Sequence, residues 1–173
     1  MLKKALTGLA GTCVCLMLQS GAVTAATNDI VRYSSDIPAS GIHGIWTFAS
    51  DPTSPNGTKL STPAGGQSNL AAPLASPIDY VDLTLTANAG TPYTFWTRLE
   101  AFNNSKASDS VWVQFSDALV NGTPIYPLNT TSALLVKLAT DSTASSDINW
   151  GWVNSAYWLT QPATLFKQRT GSY

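Results

Sequence analysis

The segment Pro92–Asp117 constrains the fold of this chain more than any other. Apolar and polar side chains alternate along both of its halves, and Trp96 falls in the polar phase with Arg98 and Glu100. Such period-two alternation, rich in aromatic and β-branched residues, is typical of half-buried β-strands. The polar run Asn103–Asp109 between the halves is rich in turn-forming residues. The sequence therefore predicts a long hairpin with its polar loop at one rim of a sheet.

The register of this predicted hairpin follows from the same pattern. Placing Leu99 opposite Val113 keeps the apolar side chains of both halves on one face. A slip of one residue would turn one apolar set towards water, so the pattern favours a single register. We expect this hairpin to lie centrally in the fold.

Shorter alternating segments predict further strands, and turn-forming residues separate them. The predicted strands lie at 29–34, 45–50, 59–62 and 78–87, with turns or loops at 51–57, 63–77 and 88–90. Segment 133–139 fits a helix or a strand by pattern alone, and its neighbouring strands and turns favour a strand. Segment 122–127 is expected to be a loop or a short strand. Many short strands separated by turns favour an all-β class, and we expect an antiparallel two-layer β-sandwich.

The first residues read as a secretory signal peptide. Lys3 and Lys4 precede the apolar run Leu6–Leu18, which is too short to span a bilayer. Val23-Thr24-Ala25 fits a cleavage site, so we expect a leader at 1–25 and one mature domain at 26–173, secreted to the exterior or the periplasm. Lipidation at Cys13 is the alternative, although Ala10-Gly11-Thr12 is a poor lipobox.

Charge and cysteine content exclude several classes of function. Both cysteines, Cys13 and Cys15, lie in the leader, so the mature chain has no disulfide and no thiol nucleophile. Without Lys3 and Lys4 the nine basic residues become seven, against ten acidic ones. This mild negative charge argues against nucleic acid or an anionic membrane as partner. We expect a monomer.

Catalytic residue patterns are missing from the sequence. His43 is the single histidine and Glu100 the single glutamate, and nothing in the spacing of the nine aspartates selects a catalytic carboxylate pair. No phosphate-binding, zinc-protease or hydrolase motif occurs. We therefore expect a protein that is not an enzyme.

The densest aromatic cluster points to binding instead. Trp150, Trp152, Tyr157 and Trp158 fall within nine residues, and Asn149 and Asn154 accompany them. Sugar rings present flat C–H faces that stack on indole or phenol, and their hydroxyls pair with amides and carboxylates. The competing interpretation is that these rings fill the core, as large aromatic side chains usually do.

Two stretches also carry a resemblance to a known family. The run PYTFWTRLEAFNNSKASDSVWVQFSD, followed by NWGWVNSAYWL, resembles the carbohydrate-binding modules of families six and thirty-five, over about residues 29–159. The resemblance implies a jelly-roll sandwich, non-catalytic glycan binding through rim loops, and a structural calcium ion. It implies that Asn103, Asn104 and Asp109 line a rim loop, and that Trp150 and Trp152 lie on the strand leading to the ligand end.

The resemblance also identifies departures from the family pattern. Asp29 lies where related modules carry an acidic residue near calcium, but the usual Glu-x-Glu is replaced here by Val31-Arg32-Tyr33. Such modules end with two further strands, whereas residues 161–173 have room for one short strand. We expect either a sandwich that lacks its last strands or one whose edge a partner supplies.

These observations lead to one expected function and two alternatives. The leading hypothesis is a secreted, non-catalytic domain that binds a polysaccharide or oligosaccharide without a cofactor, calcium excepted. The alternatives are a structural or adhesive β-sandwich with a protein partner, and a truncated remnant of a larger carbohydrate-active protein. The expected sugar-binding residues are Trp150, Trp152, Asn103, Asn104, Asp109, Asn154 and Tyr157, and the expected calcium ligand is Asp29.

Overall fold

Short β-strands dominate the structure. The computed structural model describes residues 29–63, 70–143, 149–162 and 164–166, so the predicted leader lies outside the described residues. The strands are β1 (Thr47–Ser50), β2 (Thr58–Ser61), β3 (Pro92–Tyr93), β4 (Thr97–Leu99), β5 (Ser110–Val113), β6 (Ala118–Val120), β7 (Thr123–Pro124), β8 (Leu134–Lys137), β9 (Gly151–Val153) and β10 (Thr164–Phe166). Helix within these ranges is limited to 3-10 turns of three residues: Ser34–Asp36, Ala39–Gly41, Pro55–Gly57 and Phe102–Asn104.

The strands form small antiparallel sheets. Strands β1 and β2 pair, as do β4 with β9 and β5 with β8, and a four-stranded sheet has the order β3-β10-β6-β7. The described chain is therefore mostly β, as the sequence predicts. It contains no helix long and apolar enough to cross a membrane.

The predicted hairpin of residues 92–117 is wrong. Leu99 pairs with Gly151 instead of Val113, and Val113 pairs with Leu134. After β4 the chain forms the 3-10 turn Phe102–Asn104, in which Asn103 and Asn104 adopt φ values of 51° and 54°. The alternation of residues 92–117 indicates extended segments, but it does not select their partner strands.

The shorter predicted strands can be compared one by one with the observed strands. Strands β1, β2 and β8 lie within or beside the segments predicted for them, and β10 lies in the predicted C-terminal segment. The strand predicted at 29–34 is absent, because this segment leads into the 3-10 turn Ser34–Asp36.

The strand predicted at 78–87 is also wrong. Only Val81 forms a bridge, to Ile42. Nearby, the Asp79 carboxylate accepts the backbone N–H of Ile45 at 3.0 Å, so a side chain replaces a backbone ladder at this point. Alternation alone predicts which side chains turn inward, but it does not supply a neighbouring strand.

The most completely buried large side chains lie on β8. Leu134 and Val136 are fully buried, while Leu135 and Lys137 between them are half-buried. Other buried apolar residues of the described chain are small or lie next to β8: Ala101, Ala118, Leu138, Ala139 and Ala156. The core is therefore thin, and β4 and β9 keep one face away from it.

Candidate functional site

Two exposed indole rings flank the β4–β9 ladder: Trp152 lies on β9, and Trp96 lies directly before β4. Arg98 lies opposite Trp152 in the ladder, so these two side chains share a face. Trp96 precedes Arg98 by two residues and therefore continues the same face. The rings of Trp96 and Trp152 are 53% and 64% exposed. We call this pair of rings the aromatic face.

The side chain of Gln161 prolongs the ladder beneath Trp96. Its amide oxygen accepts the N–H of Phe95 at 2.6 Å, and its amide nitrogen donates to the Phe95 carbonyl at 3.0 Å. The same nitrogen donates to the carbonyl of Asn154. Because both backbone groups of Phe95 are held, the extended backbone continues past the end of β4, and Trp96 keeps its outward direction.

Gly151 lets β9 lie close to the interior. A Cβ atom on Gly151 would come within 2.5 Å of Cδ1 of Leu138. The inward side of the strand therefore has no room for a side chain at this position. The neighbours Trp150 and Trp152 point to the other side, as period-two geometry requires.

Trp150 has a different environment from Trp152. The guanidinium carbon of Arg98 lies 4.5 Å from the centre of the Trp150 ring, and Nζ of Lys59 lies 5.4 Å from it. Both are cation–π distances. Trp150 is half-buried under these cations, so its ring supports the charged side chains around it.

Lys59 connects two carboxylates beside this ring. Its Nζ lies 3.0 Å from Oε2 of Glu100 and 3.4 Å from Oδ2 of Asp51. Glu100 thus pairs with Lys59, a residue 41 positions away, rather than with the neighbouring Arg98. Arg98 donates to the carbonyl of Thr53 at 3.4 Å.

These residues line an open cleft of about 580 Å³ next to the aromatic face. Its lining comprises Ser50, Asp51, Pro52, Thr53, Lys59, Arg98, Glu100, Asn149 and Trp150. Two acidic and two basic side chains are present, so their formal charges cancel. The cleft offers hydrogen-bond donors and acceptors without a net field.

Hydrogen bonds control the ionisation of two groups in the cleft. The hydroxyl and the backbone N–H of Thr53, at 2.7 and 2.9 Å from Oδ1, together with Lys59, lower the pKa of Asp51 to about 2. The hydrogen bond to Glu100, with the charges of Glu100 and Asp51, raises the pKa of Lys59. Asp51 and Lys59 therefore both remain charged near neutral pH.

Asn103 and Asn104 lie beside the cleft. The side-chain oxygen of Asn104 accepts the backbone N–H of Asn149 at 3.0 Å, and Asn149 lines the cleft. Asn103 is exposed at the tip of the same turn. The structure thus brings the predicted asparagine turn next to Trp150.

Asp109 belongs to the interior instead. It is 2% exposed, and its carboxylate accepts hydrogen bonds from Nζ of Lys137 and from the backbone N–H of Ala139. The backbone carbonyl of Asp109 also accepts the N–H of Leu138. An acidic residue with its oxygens committed in this way joins β5 to the end of β8 and does not present them to a ligand.

Asn154 and Tyr157 follow β9 in the chain. Asn154 is half-buried, and its side-chain oxygen accepts the hydroxyl of Ser155 at 3.3 Å. Tyr157 is exposed and meets Trp158 edge to face, with ring centres 4.5 Å apart and planes at 84°. At most one of these two perpendicular rings can lie flat on the same sugar surface.

A calcium site is not supported at Asp29. The residue is exposed, and no group of three or more His, Cys, Asp or Glu side chains within the described ranges could hold a metal ion. Calcium requires six to eight oxygen ligands, and carboxylates supply many of them. The residues present therefore do not fit the ion that the family resemblance implies.

Sequence reasoning missed Trp96, Asp51 and Lys59 as site residues. A signal for Trp96 was present, since a tryptophan in the polar phase of an alternating strand points away from the core. Lys59 meets Glu100 only through the fold, across 41 residues, and Asp51 joins the cluster through Lys59. No local pattern indicates such a contact.

No protein-family model, curated protein or solved structure matches this chain.

Proposed function

We propose that this protein is a secreted, non-catalytic carbohydrate-binding domain that holds a glycan against the aromatic face. The observation that carries the proposal is the exposure of Trp152 on β9 and of Trp96 directly before its partner strand β4. Both rings remain largely exposed, although each could bury a large apolar area. Rings exposed side by side are typical of a binding surface.

Stacking against sugar rings would recover this exposed area. Indole presents a flat, electron-rich face, and the axial C–H groups of a pyranose form a matching apolar face. Diagonal neighbours in an antiparallel ladder lie about 7–8 Å apart, which lets two large side chains act on one ligand. A glycan chain that crosses Trp96 and Trp152 would therefore contact both.

The cleft would supply the polar part of recognition. Glu100 and Arg98 belong to the same stretch of β4 and its end, and Asn149 stands at the rim of the cleft. Sugar hydroxyls both donate and accept, so a mixed carboxylate, guanidinium and amide lining suits them. Asn103 and Asn104 extend this polar rim.

The absence of catalysis is part of the proposal. Hydrolysis of a glycosidic bond requires one protonated and one ionised carboxyl group, whereas both carboxylates of the cleft, Asp51 and Glu100, lie within ion-pair distance of the ammonium of Lys59. Glu100 is paired with Lys59 at 3.0 Å. The pair is therefore suited to binding rather than to proton transfer.

The finer architecture and the location belong to the same proposal. We propose that the small sheets stack as the two layers of a jelly-roll sandwich, in line with the resemblance to carbohydrate-binding modules. The basic and apolar start of the chain favours secretion. The balanced cleft and the low overall charge argue against nucleic acid or an anionic membrane as a partner, and we propose that the protein acts as a monomer.

Tryptophan fluorescence tests this function directly. The purified protein is titrated with a panel of soluble and suspended glycans, and a saturable change or depletion with at least one glycan is expected. Trp152→Ala should weaken that binding more than tenfold, while Trp158→Ala serves as a control from outside the aromatic face. Indifference of the folded protein to every glycan in the panel would contradict the proposal.

A second candidate function is an adhesive domain with a protein partner. The segment around Leu74 and Ile78 exposes apolar side chains, and Ile78 is 78% exposed. This segment lies outside the strands, and the nearest pairing is the isolated bridge between Val81 and Ile42. Substituting Ile78 with Ser should abolish adhesion under this alternative and leave glycan binding unchanged under the first.

A further inference from the structure

We infer that the ligand is the surface of a neutral, insoluble polysaccharide built from flat β-linked pyranose chains, rather than a soluble oligosaccharide. This inference rests on the proposed function and concerns the same site. It follows from the exposure of the aromatic face, from the balanced charge of the neighbouring cleft, and from the cations that cover the Trp150 ring.

The aromatic face is open rather than concave. Trp96, directly before β4, and Trp152, on β9, are 53% and 64% exposed, and neither lines the cleft. Sites for small soluble ligands are concave and cover most of the ligand surface. Two rings on an open ladder can cover only one side of a sugar chain, which matches a ligand whose other side is already buried in a solid.

The one ring inside the cleft is already covered. Arg98 lies 4.5 Å from the Trp150 ring centre, and Lys59 lies on the same ring at 5.4 Å. A sugar entering the cleft would have to displace a cation held by two carboxylates. Stacking is therefore confined to the open face, and the cleft contributes polar contacts at its edge.

Binding energetics favour a ligand that is ordered in advance. A soluble chain loses conformational freedom when it is held on one side only, and this loss offsets much of the stacking energy. Chains in a crystalline surface have already lost that freedom. The same two rings therefore bind a solid surface more tightly than a free oligosaccharide.

The charge of the site complements a neutral partner. Asp51 and Glu100 are balanced by Lys59 and Arg98, and Lys59 lies within 4 Å of both carboxylates. Anionic lipid surfaces and nucleic acids attract clusters of unpaired basic residues. A balanced cleft beside two indoles offers them no such attraction, whereas it suits the hydroxyl groups of a neutral polysaccharide.

Depletion measurements test the inference. The purified full-length protein is mixed with microcrystalline cellulose or chitin powder, and the unbound fraction is measured after sedimentation. In parallel, soluble cello- and chito-oligosaccharides are titrated by tryptophan fluorescence. We expect retention on at least one powder, with affinity at least tenfold above that for the matching oligosaccharide, and little loss of retention in 1 M NaCl because stacking is not screened.

Single substitutions locate the surface. Trp152→Ala and Trp96→Ala should each reduce the affinity for the powder more than tenfold, while Thr94→Ala, an exposed neighbour in the same phase, should change it less than twofold. Near-ultraviolet circular dichroism verifies that each variant is folded. Phenylalanine at 96 or 152 keeps a flat ring and should recover part of the affinity, which separates a ring effect from a folding effect.

The outcomes distinguish this inference from the proposed function. Oligosaccharide affinity within tenfold of the powder affinity, or binding of oligosaccharides without retention on powder, would overturn the inference and leave carbohydrate binding in place. Binding to no glycan at all would overturn both. Retention on phosphatidylglycerol vesicles, with loss in 1 M NaCl, would overturn both in favour of a lipid surface.

Discussion

Strand pairs β4–β9 and β5–β8 arise from similar sequence patterns and have opposite roles. In β5–β8, β8 contributes Leu134 and Val136 to the core, and Asp109 next to β5 is buried with Lys137. In β4–β9, Trp96 and Trp152 lie largely in solvent. The β5–β8 pair therefore contributes side chains to the core, whereas the tryptophan rings beside the β4–β9 pair are exposed to solvent.

The comparison shows that an aromatic residue in an alternating strand has no fixed role. Phe95 and Phe115 meet edge to face, with ring centres 5.9 Å apart, so apolar-phase rings pack against each other. Trp96, directly beside Phe95, is exposed. Whether an aromatic side chain is buried or exposed depends on which face of the strand it occupies and on whether other segments pack against that face.

The largest expected effect on stability comes from a substitution in the core, on β8. Leu134→Ala removes a fully buried side chain and leaves a cavity in a thin core. We expect a loss of about 3 kcal/mol in the free energy of unfolding. Urea denaturation followed by fluorescence measures it. A loss below about 1 kcal/mol would show that β8 is not the centre of the core.

The buried ion pair should give the next largest effect. Asp109→Ala leaves the ammonium of Lys137 without its carboxylate and removes the acceptor of the Ala139 N–H. We expect a loss of about 2 kcal/mol, because a half-buried lysine still reaches some water. The double variant Asp109→Ala with Lys137→Ala should lose less than the sum of the single losses. Additive losses would contradict a coupled pair.

The stability of the folded protein should fall as the pH is lowered from about 4 to about 2, because Asp51 becomes protonated. The pKa of Asp51 is lowered to about 2 from 3.8, so its hydrogen bonds stabilise the folded state above pH 4 and are lost as the pH falls towards 2. Thr53→Val removes the hydroxyl and moves the folded-state pKa of Asp51 back towards 3.8, so the loss of stability in acid becomes smaller and ends at higher pH. Unfolding midpoints measured between pH 5 and pH 2 test this, with Asp51→Asn as the variant without this titration.

The smallest effect on stability should come from a substitution at Trp152 on β9. Trp152→Ala removes a mostly exposed ring, and we expect a change within about 0.5 kcal/mol in the free energy of unfolding. The same substitution should reduce glycan binding more than tenfold. A loss of stability comparable to that of Leu134→Ala would make Trp152 a core residue and remove the contrast between the two ladders.

Trp150 offers an intermediate case that sharpens the comparison. Its ring lies under Arg98 and Lys59, so Trp150→Ala should destabilise the protein by about 1 kcal/mol through the loss of two cation–π contacts and packing. Glycan binding should fall less than for Trp152→Ala. A greater loss of binding than for Trp152→Ala would assign the stacking role to Trp150.

Part of this structure could be predicted from the sequence. Alternation correctly located β1 and the neighbourhood of β2, and the neighbouring strands and turns correctly favoured a strand at 133–139, where β8 lies. The predicted pairing was wrong: β4 pairs with β9 and β5 with β8, across about 50 and 25 residues. Pairing between distant segments depends on how those segments pack, and no local apolar pattern reports it.

The sequence by itself determined the β character of the chain and, in β8, the alternation of buried and half-buried side chains, because a strand places successive side chains on opposite faces. Only the tertiary structure decided which outward rings remain in solvent and which are covered. Asp51 and Lys59 reach Glu100 through folding alone, and this meeting places two cations on Trp150 while Trp152 stays exposed. Contacts between distant residues depend on the packing of whole segments, and so they lie beyond any local pattern.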